Sequence, residues 1–168
     1  MKKLLAICSL MLLMAAPAMA QEVPTNTVKE TTKMEALKTP FPMGPENTAY
    51  GKYFTGTSYL NMLSLEQVVI GNVYFEPGCR NNWHIHNSSK GGGQILLVTG
   101  GRGYYQEWGK EPQELKAGDV VNIPAGVKHW HGAAPDSWFA HLSVEVPGEN
   151  NSNEWLEPVT DAEYNKLK

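Results

Sequence analysis

Cysteine is nearly absent from this chain: its 168 residues hold two, Cys8 and Cys79. Cys8 stands in an N-terminal apolar stretch that reads as a leader, so one thiol remains afterwards and no intramolecular disulfide can form. Stability must then come from a hydrophobic core. Long apolar runs are missing too, since Leu4 to Met14 is too short to span a bilayer. Charge of one sign does not dominate. The net charge is −3, and removing Lys2 and Lys3 with the leader takes it to −5, with both signs scattered along the chain. That mild acidity argues against nucleic acid as a partner. No internal repeat recurs, which leaves one domain. The Gly91-Gly92-Gly93 run is not followed by Lys-Ser/Thr, which excludes a phosphate-cradling loop of that type.

What is present begins with the leader. Met1-Lys2-Lys3 is a positively charged start, the apolar run follows, and Ala18-Met19-Ala20 is a small-x-small cleavage site before Gln21. Residues 1–20 are therefore expected to be a signal peptide, leaving 148 residues (168 minus 20) exported to the periplasm or the medium, with no membrane attachment after cleavage. Cys8 does not sit at the cleavage site, which argues against a lipid anchor. A chain of that size is enough for one core.

Residues 21–45 read as an arm. Gln21 to Lys38 is polar and poor in large apolar groups, and Thr39-Pro40-Phe41-Pro42-Met43-Gly44-Pro45 is extended and turn-forming, suited to lying across the domain or a neighbouring subunit. From residue 46 to 168 the rhythm is of short strands separated by glycine and proline. Tyr59 to Leu63, Gln67 to Phe75, Gln94 to Thr99, Gly103 to Glu107, Val120 to Ile123 and Phe139 to Val146 are strand candidates. Turns such as Trp108-Gly109-Lys110-Glu111 and Lys116-Ala117-Gly118-Asp119 separate them, the pattern of an all-β sandwich or barrel. Thr160-Asp161-Ala162-Glu163 has the form of a capping box that opens a short C-terminal helix.

Within this frame Trp83-His84-Ile85-His86 carries the chemistry. Two histidines at i and i+2 of a strand share a face about 6.6 Å apart along the backbone, close enough to grip one metal ion. Gln94 opens the next strand, and the glycine run before it can supply the reversal that makes the two strands antiparallel partners, with Gln94 beside the imidazoles. A second His-x-His, His129-Trp130-His131, closes a strand after Pro124-Ala125-Gly126 and offers a further ligand.

These segments resemble the cupin family. Gly78, five residues, His84-x-His86, Gln94 and Gly100 are similar to the first cupin motif, and Gly118, Pro124, Gly126 and His129 to the second. His129-Trp130-His131-Gly132-Ala133, Ala140-His141-Leu142, Phe54-Thr55-Gly56 and Val159-Thr160-Asp161-Ala162-Glu163-Tyr164 resemble the small single-domain members that include the bacterial (R)-selective hydroxynitrile lyases. The resemblance implies a single jelly-roll β-barrel with a short C-terminal helix. It implies a divalent ion held by His84, His86, Gln94 and His129: manganese or iron first, with zinc, nickel and cobalt suited to the same donors. With glutamine where many cupins carry glutamate, the ligands bring no charge to offset the ion, so the site is expected to be a strong Lewis acid that welcomes anionic ligands.

His131 shares the inward face with His129 and suits a general acid or base. His141, Ser143 and Glu145 alternate with Leu142, Val144 and Val146, and pattern alone leaves open which set faces inward. The resemblance turns His141 inward as a second catalytic histidine. The expected activity is proton-transfer, lyase- or isomerase-like chemistry on a small carbonyl, hydroxy acid or cyanohydrin. An oxidative ring- or enediol-cleaving dioxygenase is the alternative, and a non-catalytic binder of small molecules the third reading. Two departures bear on substrate access and proton chemistry: four extra residues between His86 and Gln94, expected to bring Ser88 and Lys90 over the barrel mouth, and Glu145 in place of glutamine, expected to charge a neighbouring histidine. Trp83, Ile85 and Trp130 face away from the ligands and need cover from the second layer, the N-terminal segment or a partner subunit, so a homo-oligomer is expected as readily as simple core packing.

Overall fold

A computed structural model provides the architecture and describes residues 37–167. The expected leader and the first part of the arm lie outside the described residues. Among the described residues the strands are β1 (Phe54–Thr55), β2 (Ser58–Ser64), β3 (Ile70–Phe75), β4 (Arg80–Asn81), β5 (His84–Asn87), β6 (Lys90–Gly91), β7 (Gly93–Glu107), β8 (Gln113–Lys116), β9 (Val120–Pro124), β10 (His129–Ala133), β11 (Phe139–Glu145), β12 (Gly148–Glu149) and β13 (Ser152–Trp155). One helix, α1 (Asp161–Tyr164), follows them. Two antiparallel layers curl towards each other as a jelly roll. One runs β2-β3-β11-β7-β9; the other runs β1-β4-β10-β7-β8, with β5 on β10 and β13 on β5.

Strand β7 joins the layers. Read from the sequence as two strands, it is one strand of 15 residues whose first half pairs with β11 and β9 and whose second half pairs with β10 and β8. The bend lies at Gly100-Gly101, where the register with β11 slips between Ala140 and His141. Gly101 has φ +72°, and a Cβ there would fall 1.9 Å from the Trp138 carbonyl oxygen, so a side chain is excluded on both counts.

The expected hairpin between β5 and the start of β7 does not form. β5 pairs instead with β10 (His129 opposite His84) and with β13 (Trp155 opposite His84). The glycine run carries the chain from one layer to the other, and Lys90–Gly91 makes a small separate ladder with Gly148–Glu149.

Inner side chains from both layers form the core: Val73, Phe75, Leu96, Val98, Leu115, Ile123, Phe139 and the buried thiol of Cys79 among them. A second buried cluster lies outside the β10 layer, where Trp83, Tyr104, Trp130, Ala134, Val159 and Tyr164 meet. Trp83 and Trp130 are thus covered by this chain's own C-terminal segment, not by a partner. Thr160 and Glu163 form the expected capping box, and the Tyr164 hydroxyl donates to the Ala133 carbonyl at 2.6 Å. On the outer face of β2 and β3, the arm from Thr39 to Pro45 is held by Tyr74 and Asn72, which donate to the Phe41 and Pro42 carbonyls at 3.1 and 3.0 Å.

Candidate metal centre and cavity

Alternation along β5 and β10 turns His84, His86, His129 and His131 to the barrel interior, all of them buried. Because His84 and His129 are cross-strand partners, their rings approach to 4.1 Å between centroids. The ligand atoms of His84, His86 and His129 all lie within 4.8 Å of one another. Gln94, from the other layer, completes the group with its Oε1 3.2 Å from His129 Nε2.

Each of the three imidazoles is anchored through Nδ1. His84 and His129 donate to the carbonyls of Asn82 and Val127 at 2.9 Å, and His86 donates to Glu145 Oε2 at 3.1 Å. Those bonds protonate Nδ1 and leave the Nε2 lone pairs to converge. Burial, helped by the neighbouring imidazoles, pushes the His84 pKa well below its ordinary value, and burial likewise pulls His129 down to about 4. The His86 Nε2 is buried without a hydrogen-bond partner. Neutral, oriented imidazoles with an orphaned buried lone pair fit a divalent cation, and the buried amide oxygen of Gln94 fits as a fourth donor.

The four residues read from the sequence as ligands therefore come together. The reading missed Ser143, whose Oγ accepts from Gln94 Nε2 at 2.7 Å and so turns the amide oxygen towards the histidines. The even spacing His141, Ser143, Glu145 was its available signal.

Above this cluster is a cavity of about 210 Å³. Asn81, His84, His86, Gln94, His131, Ser143 and Glu145 form its polar floor and sides; Phe54, Leu60, Met62, Val73 and Trp155 are apolar wall. The volume lies below the roughly 300–1,000 Å³ usual for drug-sized ligands, which limits the occupant to a small molecule. Trp155 stacks on His84 at 4.8 Å and on Tyr53 at 4.6 Å.

His131 faces this cavity and its pKa is driven well down by burial and then by the imidazoles around it. His141 is inward as expected but is not on the wall. It is fully buried behind His131, with its Nε2 3.1 Å from His131 Nδ1 and Phe75 and Phe139 against its ring. Its contact with the site is through the His131 ring. Asn81, which no sequence signal marked, holds the backbone N–H of His131 at 2.9 Å and places its amide nitrogen 3.1 Å from His131 Nε2. Glu145 does not touch His141; it engages His86. Nor do Ser88 and Lys90 overhang the mouth. They are tied to residues 147–151, with Ser88 donating to the Glu149 carbonyl at 2.9 Å and Lys90 paired with the Glu149 carboxylate at 3.1 Å. Neither residue lines the cavity; Lys90 belongs to the small outer ladder with Gly148–Glu149, and Ser88 bonds to that ladder.

Residues 71–144 match the family model described as a cupin domain, a span that runs from β3 through most of β11 and includes six residues of the site, five histidines and one glutamine.

 These six are His84, His86, His129, His131, His141 and Gln94; Glu145 and Trp155 lie beyond the matched span. The chain is 39% identical over 118 residues to the (R)-mandelonitrile lyase of Granulicella tundricola, an alignment that covers 68% of this chain and 87% of the relative. Its fold superposes on a cupin-like protein of Thermotoga maritima with a TM-score of 0.68 at 40% identity, over 78% of this chain and 98% of that one. A predicted oxalate decarboxylase of the same organism shares the fold alone, with a TM-score of 0.52 at 21% identity, over 62% of this chain and 92% of that one.

Proposed function

The chain belongs to the cupin family, and from that premise we propose that it is a metal-dependent lyase that cleaves a small cyanohydrin-type substrate to a carbonyl compound. The observation that carries the reading is a neutral His131 on the wall of a small cavity whose floor is the His84, His86, His129 and Gln94 cluster. The identity to a mandelonitrile lyase supports it.

A divalent ion on those four residues, manganese or iron by preference, would supply Lewis-acid polarisation of the substrate oxygen. The chain's residues do the rest. His131 accepts the hydroxyl proton; the carbon–carbon bond to the nitrile breaks with its electron pair on cyanide while the carbonyl forms; and the proton held by His131 passes to cyanide, which leaves as HCN. His141 and Asn81 hold the His131 ring and backbone in place for both transfers. The apolar wall of Phe54, Leu60, Met62 and Val73 takes the substrate's organic group and keeps water off the reacting bond.

The test is benzaldehyde release from (R)- and (S)-mandelonitrile by protein of measured metal content, beside His131→Ala and His84→Ala. The reading expects preference for one enantiomer, loss of turnover with retained metal in His131→Ala, and loss of both in His84→Ala. Oxygen consumption without cyanohydrin cleavage would replace the lyase by an oxidative enzyme, and metal-free, inert protein would leave a binding module. The proposal extends to export as a homo-oligomer. The residue 1–20 pattern and the outward-facing, exposed Leu97 and Val120 support it. N-terminal sequencing of protein from the periplasm or medium should begin at Gln21, and light scattering should give more than one chain per particle.

A further inference from the structure

Three ligand imidazoles are anchored at Nδ1, but not alike. His84 and His129 lean on neutral backbone carbonyls, whereas His86 leans on a carboxylate. The direct donors are three imidazoles and an amide, and among the described residues Glu145 is the carboxylate hydrogen-bonded to one of those rings. Its position is built into the barrel. Glu145 is the last residue of β11, directly opposite Gln94 on β7, and its backbone N–H donates to the Val69 carbonyl at 3.0 Å. Its side chain lines the cavity and is 27% exposed. The ion-pair partner it has among the described residues is His86, not a lysine or arginine that would neutralise it.

Resting on the metal-centre reading above, we infer that Glu145 supplies, through His86, the negative charge that Gln94 does not bring, and thereby sets both how tightly the ion is held and which ligands its open positions accept. A carboxylate behind an imidazole raises the ring's basicity towards the metal, and losing such a partner typically weakens metal binding about 10- to 100-fold. The same charge faces the cavity. It offsets part of the ion's field where the substrate sits, so neutral hydroxyl and carbonyl compounds are accepted and small carboxylates and other anions are disfavoured. This reverses the welcome to anions expected from Gln94 alone.

Glu145→Gln isolates the charge, because the amide oxygen can still accept from His86 Nδ1 while the shape is kept. Manganese Kd would be measured at fixed pH by chelator competition on the full mature chain, with apo-protein melting as the check on folding. Azide would then be titrated into cobalt-loaded protein and followed in its visible spectrum. The expected results are a manganese Kd at least 10-fold weaker in Glu145→Gln, tighter azide binding, and recovery of manganese affinity when Gln94→Glu is added to that variant. A Kd within twofold of wild type, or no recovery in the double variant, overturns the role of Glu145 and leaves the centre standing. Wild-type protein that binds no manganese, iron, cobalt or zinc overturns the centre and this inference together.

Discussion

Replacing His141 by Asn in metal-free protein should flatten the acid limb of the stability curve. The imidazole is fully buried against Phe75, Phe139 and His131, and that burial lowers its pKa from 6.5 to about 4. A histidine whose folded pKa is depressed stabilises the fold fully above its unfolded pKa, and that stability is lost as pH falls from 6.5 towards 4, because the unfolded chain takes the proton first. Integrated over that window, one such group removes about 2 kcal/mol between pH 7 and pH 5, with a limiting slope of about 1.4 kcal/mol per pH unit. Urea unfolding of chelator-treated protein at half-unit steps reads this directly. The variant should be less stable at pH 7, since a packed ring is truncated, yet it should lose about 2 kcal/mol less than wild type on going to pH 5. Parallel curves for the two proteins would refute the reasoning. They would mean that His141 is already charged in the fold at pH 5, and a charged neighbour 3.1 Å away would spoil His131 as a proton acceptor.

Further outcomes follow from individual contacts. Ser143→Ala should free the Gln94 amide to turn, weakening metal affinity by about tenfold while costing only about 1 kcal/mol of apo-protein stability; chelator competition and urea melts check the two halves. Cys79 is fully buried, and burial pushes its thiol up to about 12, so native protein should resist alkylation at neutral pH and react only once unfolded, as mass spectrometry of iodoacetamide-treated samples would show. Thr160→Ala removes the capping box and should cost about 1 kcal/mol in urea titrations, with a red shift of tryptophan emission if α1 frays from Trp130.

The histidine cluster was legible because its information is local. His84-x-His86 and His129-x-His131 each place two rings on one face of a strand, whatever the strand pairs with. Pairing itself is not local. Adjacency in sequence suggested a hairpin between β5 and β7, whereas the jelly roll closes β5 against β10 and β13, more than forty residues away. The same limit applies to β11. Alternation divides it into His141, Ser143, Glu145 and Leu142, Val144, but the usual rule that apolar side chains face inward would choose the wrong set. The polar set is inward because it lines and backs the site. Asn81 had no signal at all, since its role depends on the approach of β4 to β10. The cover over Trp83 and Trp130 was missed because α1, with four residues, is too short for a helical period to show.

Turning imidazoles, amides and a carboxylate to the interior of so small a barrel gives up apolar burial at one end, and the fold regains it outside. The inner core lies mainly where β7, β8, β9 and β11 meet around Leu96, Leu115, Ile123 and Phe139, with Phe139 against the His141 ring. On the other side of the very strand that carries His129 and His131, Trp130 is packed under Val159 and Tyr164. β10 is thus clamped between two buried surfaces, one polar and one apolar, and Arg80 ties the strand beside it to the Val159 carbonyl and to Asp161. Fully burying a side chain such as Trp130 contributes on the order of 2–3 kcal/mol, comparable to the burden of keeping one unpaired polar group in the interior. The C-terminal segment is on these terms part of the site. It contacts no ligand through α1, yet it fixes the strand on which His129 and His131 stand two residues apart.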